Sequence, residues 1–158
     1  MNEAYVQLAV TADQLQMAGS LLIAAILGSL LGLERSVAGK HAGMRTYALV
    51  SLGSCLFVII GTLASQGFAL HFSGVNPLQL AGSIIIGIGF IGSGLVALKG
   101  ETQVELTTAS GIWVVAAVGM ACGFGFYVLA TVATVLAAAI LSLFLRVENA
   151  IRRKYTNS

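Results

Sequence analysis

The stretch "TTASGIWVVAAVGMACGFGFYVLATVATVLAAAILSLFL", Thr107 to Leu145, runs for 39 residues without an Asp, Glu, Lys or Arg. A helix needs about 20 apolar residues to cross a hydrocarbon core about 30 Å thick. The stretch is twice that length, and "ACGFGF" (121–126) places a glycine-rich turn near its middle. It reads as two spans: a short one over roughly Thr108 to Cys122, with a re-entrant segment as the alternative, and a longer one after the turn. The reading decides the fold, because it sets whether the chain crosses an odd or an even number of times.

Upstream, the 53 residues from Thr46 to Leu98 also lack charge. The polar interruption "SQGFALHFSGVNP" (65–77) divides them into spans at about Thr46 to Ala64 and Leu78 to Leu98. Leu15 to Leu33 is the first span. Five spans are expected. Hydrophobic residues make up 58% of the 158 and charged ones 9%, and the mean hydropathy is +0.95. A soluble domain is about 45–50% apolar and about 25% charged, so this chain cannot cover its apolar surface with polar groups. In lipid every backbone polar group must be satisfied internally, which leaves helices or a closed barrel. The alternating pattern of a barrel is absent. The expected fold is an all-α, five-helix membrane bundle, with a short N-terminal segment at 1–14, the membrane domain at 15–146 and a basic tail at 147–158.

Five crossings put all eight basic residues, Arg35, Lys40, Arg45, Lys99, Arg146, Arg152, Arg153 and Lys154, on one side. The positive-inside rule makes that side cytoplasmic, the N-terminus outside and the location a cell membrane. Residues 1–20 carry Glu3 and Asp13 but no Lys or Arg, so a cleaved secretory signal is not expected. The tail "RVENAIRRKYTNS" is expected on the anionic inner leaflet. Asn76 and Pro77 can start the third span as cap and first helical residue. Thr107 or Thr108 can cap the start of the fourth. Trp113, Tyr47, Tyr127, Phe68 and Phe72 fall near span ends, where aromatic belts sit.

The third span contains "GIGFIG" (87–92), a letter-for-letter match to the dinucleotide fingerprint. That motif needs a preceding strand and a soluble helix, and here it lies inside an apolar run. Packing explains it better. At 100° per residue Gly82, Gly89 and Ser93 share one face, Ser83, Gly87 and Gly94 the adjacent strip, and Gly92 belongs to the same set. Small residues let helices approach closely in lipid, either within the chain or in self-association. Gly28 with Gly32, and Gly119 with Gly123, repeat the device.

The loop "GLERSVAGKHAGMRT" (32–46) gathers Glu34, Arg35, Lys40 and Arg45 around Gly39 and Gly43. Three basic residues pin it inside. Orientation alone does not require Glu34, whose carboxylate at a helix C-terminus opposes the dipole. A paired partner is expected, with Arg45 at the start of the second span the favoured one. Gly39 and Gly43 allow a tight turn with exposed amides. Glu34, Glu101 and Glu105 can gather at the inner mouth as a carboxylate cluster for hydrated Mg²⁺, although the spacing does not demand one, and no metal site is assigned. Cys55 and Cys122 lie in apolar runs and read as packing residues. No nucleophile has an evident base, and His41 and His71 fall on opposite sides. No enzyme, cofactor or nucleic-acid role is expected. No ionisable residue lies deep in a span, which counts against active transport.

"GLERSVAGKHAGMRTYALVSLGSCLF" and "IIIGIGFIGSGLVALKG…LTTASGIWVVAAVGMACGFGFYVLA" resemble the MgtC/SapB family of bacterial inner-membrane proteins. The family patterns G-L-E-R, A-G-x-R-T, G-x-G-F-x-G-x-G and L-T-T-A are met at Gly32–Arg35, Ala42–Thr46, Gly87–Gly94 and Leu106–Ala109. The resemblance implies a five-helix inner-membrane protein linked to growth in low magnesium and to survival inside host cells. It implies action by binding other membrane proteins, ATP synthase included, rather than by moving Mg²⁺, and a homo-oligomer, a dimer favoured. The family's Asp-Pro-x-Arg is Asn76-Pro77-Leu78-Gln79 here, without its charges, and Tyr47 follows Arg45-Thr46 where a small or polar residue is common. Many members carry a cytoplasmic C-terminal ACT-like domain, and this chain stops at Ser158. The expected function is contact with other membrane proteins through the inner loop and the glycine-rich third span. The alternative is a Mg²⁺-related cation channel or transporter with Glu34, Glu101 and Glu105 at its mouth.

Overall fold

The computed structural model of the protein describes residues 3–68, 76–97 and 106–156, and these form five helices with no strand among them. They are α1 (Glu3–Val37), α2 (Met44–Phe68), α3 (Pro77–Ala97), α4 (Leu106–Gly123) and α5 (Tyr127–Thr156). Each contains a segment long and apolar enough to cross a membrane. At 1.5 Å per residue α4 is about 27 Å long, and its 18 residues are continuous helix, so the re-entrant alternative falls. "GIGFIG" lies within α3, which removes the nucleotide reading.

Contacts between helices fix their directions. A methyl group on Gly61, late in α2, would meet Leu80 early in α3, and one on Gly92, late in α3, would lie 3.8 Å from the Ala109 Cβ early in α4. Those pairs run antiparallel. Tyr47 early in α2 bonds Thr108 early in α4, whereas Gly123 at the end of α4 faces Cys55 and Val58 further along α2. Those two run parallel. The Ser20 hydroxyl, in the first half of α1's apolar segment Thr11–Val37, meets the Tyr127 hydroxyl at the start of α5 at 2.7 Å. The path is therefore up and down five times, with α1, α3 and α5 in one direction and α2 and α4 in the other. Loop 38–43 lies at one end and the turn at 124–126 at the other.

Both short connections follow from glycine. Gly39 has φ 67° and Gly125 φ 80°, a left-handed conformation that costs glycine nothing. After α1 the Gly39 amide bonds the Ser36 carbonyl at 3.1 Å and the Lys40 amide bonds that of Arg35 at 3.0 Å. After α4 the amides of Gly125 and Phe126 bond the carbonyls of Cys122 and Ala121. Both ends are Schellman caps, which satisfy the last orphan carbonyls. Ser36 then reaches across the first turn, its Oγ accepting the Met44 amide at 2.8 Å.

α1 is already helical at Glu3, and α5 runs unbroken to Thr156. The core lies among α1, α2 and α4, with Leu31, Tyr47, Val58, Ile112, Val115 and Val118 almost fully enclosed. Cys55 and Cys122 are buried there as free thiols. The outer faces are apolar: Phe90, Val128 and Leu129 are exposed, as lipid-facing positions should be.

Candidate functional site: the basic end and the glycine face

At the basic end α1 closes with Glu34 and Arg35. The Arg35 Nε donates to Glu34 Oε2 at 2.5 Å, with the Arg35 side chain 3% exposed and that of Glu34 22%. The bridge expected between Glu34 and Arg45 does not form. Arg45 is exposed at the start of α2, and the Glu34 carboxylate pairs with Arg35 instead. Neighbouring helix residues point about 100° apart, so Arg35 pairs with Glu34 only by folding its long stem back. A buried guanidinium without a counter-charge costs several kcal/mol, and Glu34 supplies that counter-charge.

Tyr47 is expected in an interfacial belt, but the structure seats it in the core at 0% exposure. Its hydroxyl donates to the Thr108 carbonyl at 3.0 Å. The site is carved by glycine: a methyl on Gly111 would strike the Tyr47 hydroxyl, and one on Gly32 would lie 2.8 Å from the Tyr47 Cβ and 2.6 Å from the Met44 Cα. The large residue that follows Arg45-Thr46 is thus matched by small ones on α1 and α4. Sequence reasoning missed this, because the partners lie 15 positions before Tyr47 and 64 after it. It also missed Ser36, whose reach to Met44 has no periodic signature.

Thr107 and Thr108 lie inside α4, which already starts at Leu106, so neither caps it. Thr107 is exposed and Thr108 is buried with its Oγ1 unpaired, as is the Ser51 Oγ. Lys40 and Gly39 are exposed at the turn, and Thr46 is half-buried. Gly43 abuts Ser36, where any Cβ would collide with the serine hydroxyl. Lys99, Glu101, Glu105, His71 and Phe72 lie outside the described residues. Of the three carboxylates expected at the inner mouth, Glu34 is the one among the described residues, and among those residues no three His, Cys, Asp or Glu gather as metal ligands.

The glycines divide into two classes. Cβ atoms on Gly28, Gly119 and Gly123 would lie within 2.8 Å of neighbouring-helix atoms: Ser51 and Tyr47 for Gly28, Ser51 for Gly119, Val58 and Cys55 for Gly123. These are the close approaches expected of small residues in lipid. Among the described residues Gly82, Gly87, Gly89 and Gly94 have nothing within 4 Å, and Gly92 touches only Ala109. Among the described residues α3 sits at the edge of the bundle, and packing within the chain, one of the two roles expected of its glycines, is sparse there. Of its spanning window 6% is buried, against 39% for α4. Between α2 and α3 runs an apolar groove of about 560 Å³, lined by Val50, Gly53, Phe57, Ile84, Gly87 and Ile88 among others. The Ser83 and Ser93 hydroxyls on α3 bond back to their own helix, to the carbonyls of Gln79 and Phe90, so these serines leave the surface to close apolar contact.

The profile of the MgtC family matches residues 21–150. The chain is 40% identical over 128 residues to "Putative magnesium transporter YhiD" of Escherichia coli K12, covering 78% of this chain and 58% of that protein. It is 38% identical over 118 residues to protein MgtC of Brucella abortus, covering 75% and 47%. Over 107 residues it is 36% identical to protein SapB of Bacillus subtilis, covering 66% and 46%. The chain thus spans about half to six-tenths of these relatives' length. No solved structure matches it.

Proposed function

The chain belongs to the MgtC family, and from that premise we propose that it works as a non-enzymatic module of the bacterial inner membrane, acting through helix contacts with other membrane proteins. Its magnesium link is supported by a relative named a putative magnesium transporter, and adaptation when magnesium is scarce is what the family resemblance implies. The expected orientation places the basic loop and the end of α5 in the cytoplasm.

One observation carries this reading: α3 is rich in glycine yet packs almost none of it against the other described helices. Each glycine in a helix interior costs about 1 kcal/mol relative to Ala. Glycines on α1 and α4 return that cost through close approach, and those on α3 do so once a second helix docks there. A second copy of this chain, as a dimer, is the favoured occupant. A cysteine at Phe90, which is 81% exposed, should crosslink to its counterpart in native membranes, and Gly89→Ile should abolish the product. Failure of Phe90→Cys to crosslink to itself or to any membrane protein would refute the reading. Growth in low magnesium should suffer with Glu34→Ala, which strands a buried Arg35.

A further inference from the structure

At the end opposite the basic loop, α1, the far end of α2 and the α4–α5 turn enclose a half-open polar cavity of about 290 Å³. Its polar lining is Asp13, Gln16, Ser20, Thr62, Gln66 and Tyr127. We infer that this cavity binds a hydrated divalent metal cation, held by the Asp13 carboxylate and by oxygen acceptors that receive hydrogen bonds from the ion's water.

The hydrogen-bond directions carry the inference. The Ser20 hydroxyl donates to the Gln16 carbonyl at 3.0 Å. In the 2.7 Å contact with Tyr127 either hydroxyl can donate; while the Ser20 proton is on the Gln16 carbonyl, the phenol is the donor. The Thr62 hydroxyl donates to the Ile59 carbonyl at 2.8 Å. In that arrangement the three hydroxyl protons are turned into the protein and their oxygens offer acceptor capacity, while the Gln16 and Gln66 amides, which carry donors as well as an acceptor, can turn their oxygens to an occupant. An anion finds no hydroxyl donor there. A cation, or the donor face of water on a cation, matches all three. Asp13 supplies the cavity's one formal charge and has no hydrogen bond or ion pair with any described residue.

Distance removes competing charge. At 1.5 Å per residue Arg35 and Arg45 lie roughly 33 and 25 Å along their helices from the cavity, at the opposite end of the bundle. One carboxylate is too few ligands for a dry protein cage, but Mg²⁺ bound through one or two carboxylates retains several waters. At about 30 Å³ per water the cavity holds on the order of ten, enough for an ion with its shell. So sparse a charge set gives weak binding, on the order of 10⁻³ M.

The test uses the purified full chain in a non-ionic detergent, with Tb³⁺ as the luminescent probe and tyrosine excitation. Wild type should give sensitised emission that Mg²⁺ or Ca²⁺ displaces at millimolar concentration, while choline at equal ionic strength does not. Asp13→Asn should weaken the probe at least tenfold and Gln66→Leu about threefold. Ser142→Ala, well along α5 from the cavity, should leave it unchanged. Asp13 and Gln66 are exposed, so unchanged elution on size exclusion checks that both variants fold. Binding by Asp13→Asn equal to wild type, or displacement by choline as effective as by Mg²⁺, would overturn the inference.

Discussion

Gly119→Ala against Gly89→Ala separates the two classes of glycine. At Gly119 a Cβ would fall 2.8 Å from both Cα and the carbonyl carbon of Ser51, with the Ser51 carbonyl oxygen nearer still. Those atoms are backbone, so no rotamer change relieves the clash. To restore ordinary contact, α2 and α4 must part by more than half an ångström. A gap of 0.5–1 Å forfeits a quarter to a half of each dispersion contact along the seam, and dispersion is the main attraction between helices in lipid. Overpacking a well-packed core costs about 1–3 kcal/mol. With rigid backbone as the obstacle, about 3 kcal/mol is expected for Gly119→Ala. Gly89 has open space around it, so Gly89→Ala should stabilise the monomer by up to about 1 kcal/mol through helix propensity while weakening any α3-mediated dimer. The assay is reversible SDS unfolding in bicelles followed by circular dichroism, with crosslinking at Phe90 measured alongside. Gly119→Ala within about 0.5 kcal/mol of wild type, or a larger loss for Gly89→Ala, would refute the assignment of tight and open faces.

Two more outcomes follow from the α1–α2–α4 seam. Tyr47→Phe removes the bond to the Thr108 carbonyl and should cost about 0.5–1.5 kcal/mol in the same unfolding assay, whereas Tyr47→Ala empties a fully enclosed site and should cost about 3–5 kcal/mol. Ser51→Ala keeps the Cβ that packs on Gly28 and deletes a buried hydroxyl without a partner, so it should be neutral or stabilise by about 1 kcal/mol; a loss above about 1 kcal/mol would show that the hydroxyl is bonded.

Hydropathy and charge made the helices legible. Charge-free runs gave all five, and the lack of charge between Thr107 and Leu145 with one glycine turn correctly divided α4 from α5. Gly39 was legible too, because a glycine just past an apolar run is a helix-ending signal. Pairing was not. Glu34 bonds its sequence neighbour rather than Arg45, a choice of partner that sequence spacing does not encode. Tyr47 looked interfacial by position and is core, because its cavity is made by Gly32 and Gly111 on two other helices. The glycines of α3 resemble those of α1 and α4 residue by residue. Only the arrangement of helices shows that the first set faces outward.

The central claim is an odd number of crossings with the basic residues on one face. Single cysteines at Ala12, Lys40 and Val147, all exposed, can be introduced with Cys55 and Cys122 replaced by Ala and probed in intact cells with a membrane-impermeant maleimide. Ala12→Cys should react at once, and Lys40→Cys and Val147→Cys only after permeabilisation. Reaction of Ala12→Cys and Lys40→Cys from the same face would contradict the account.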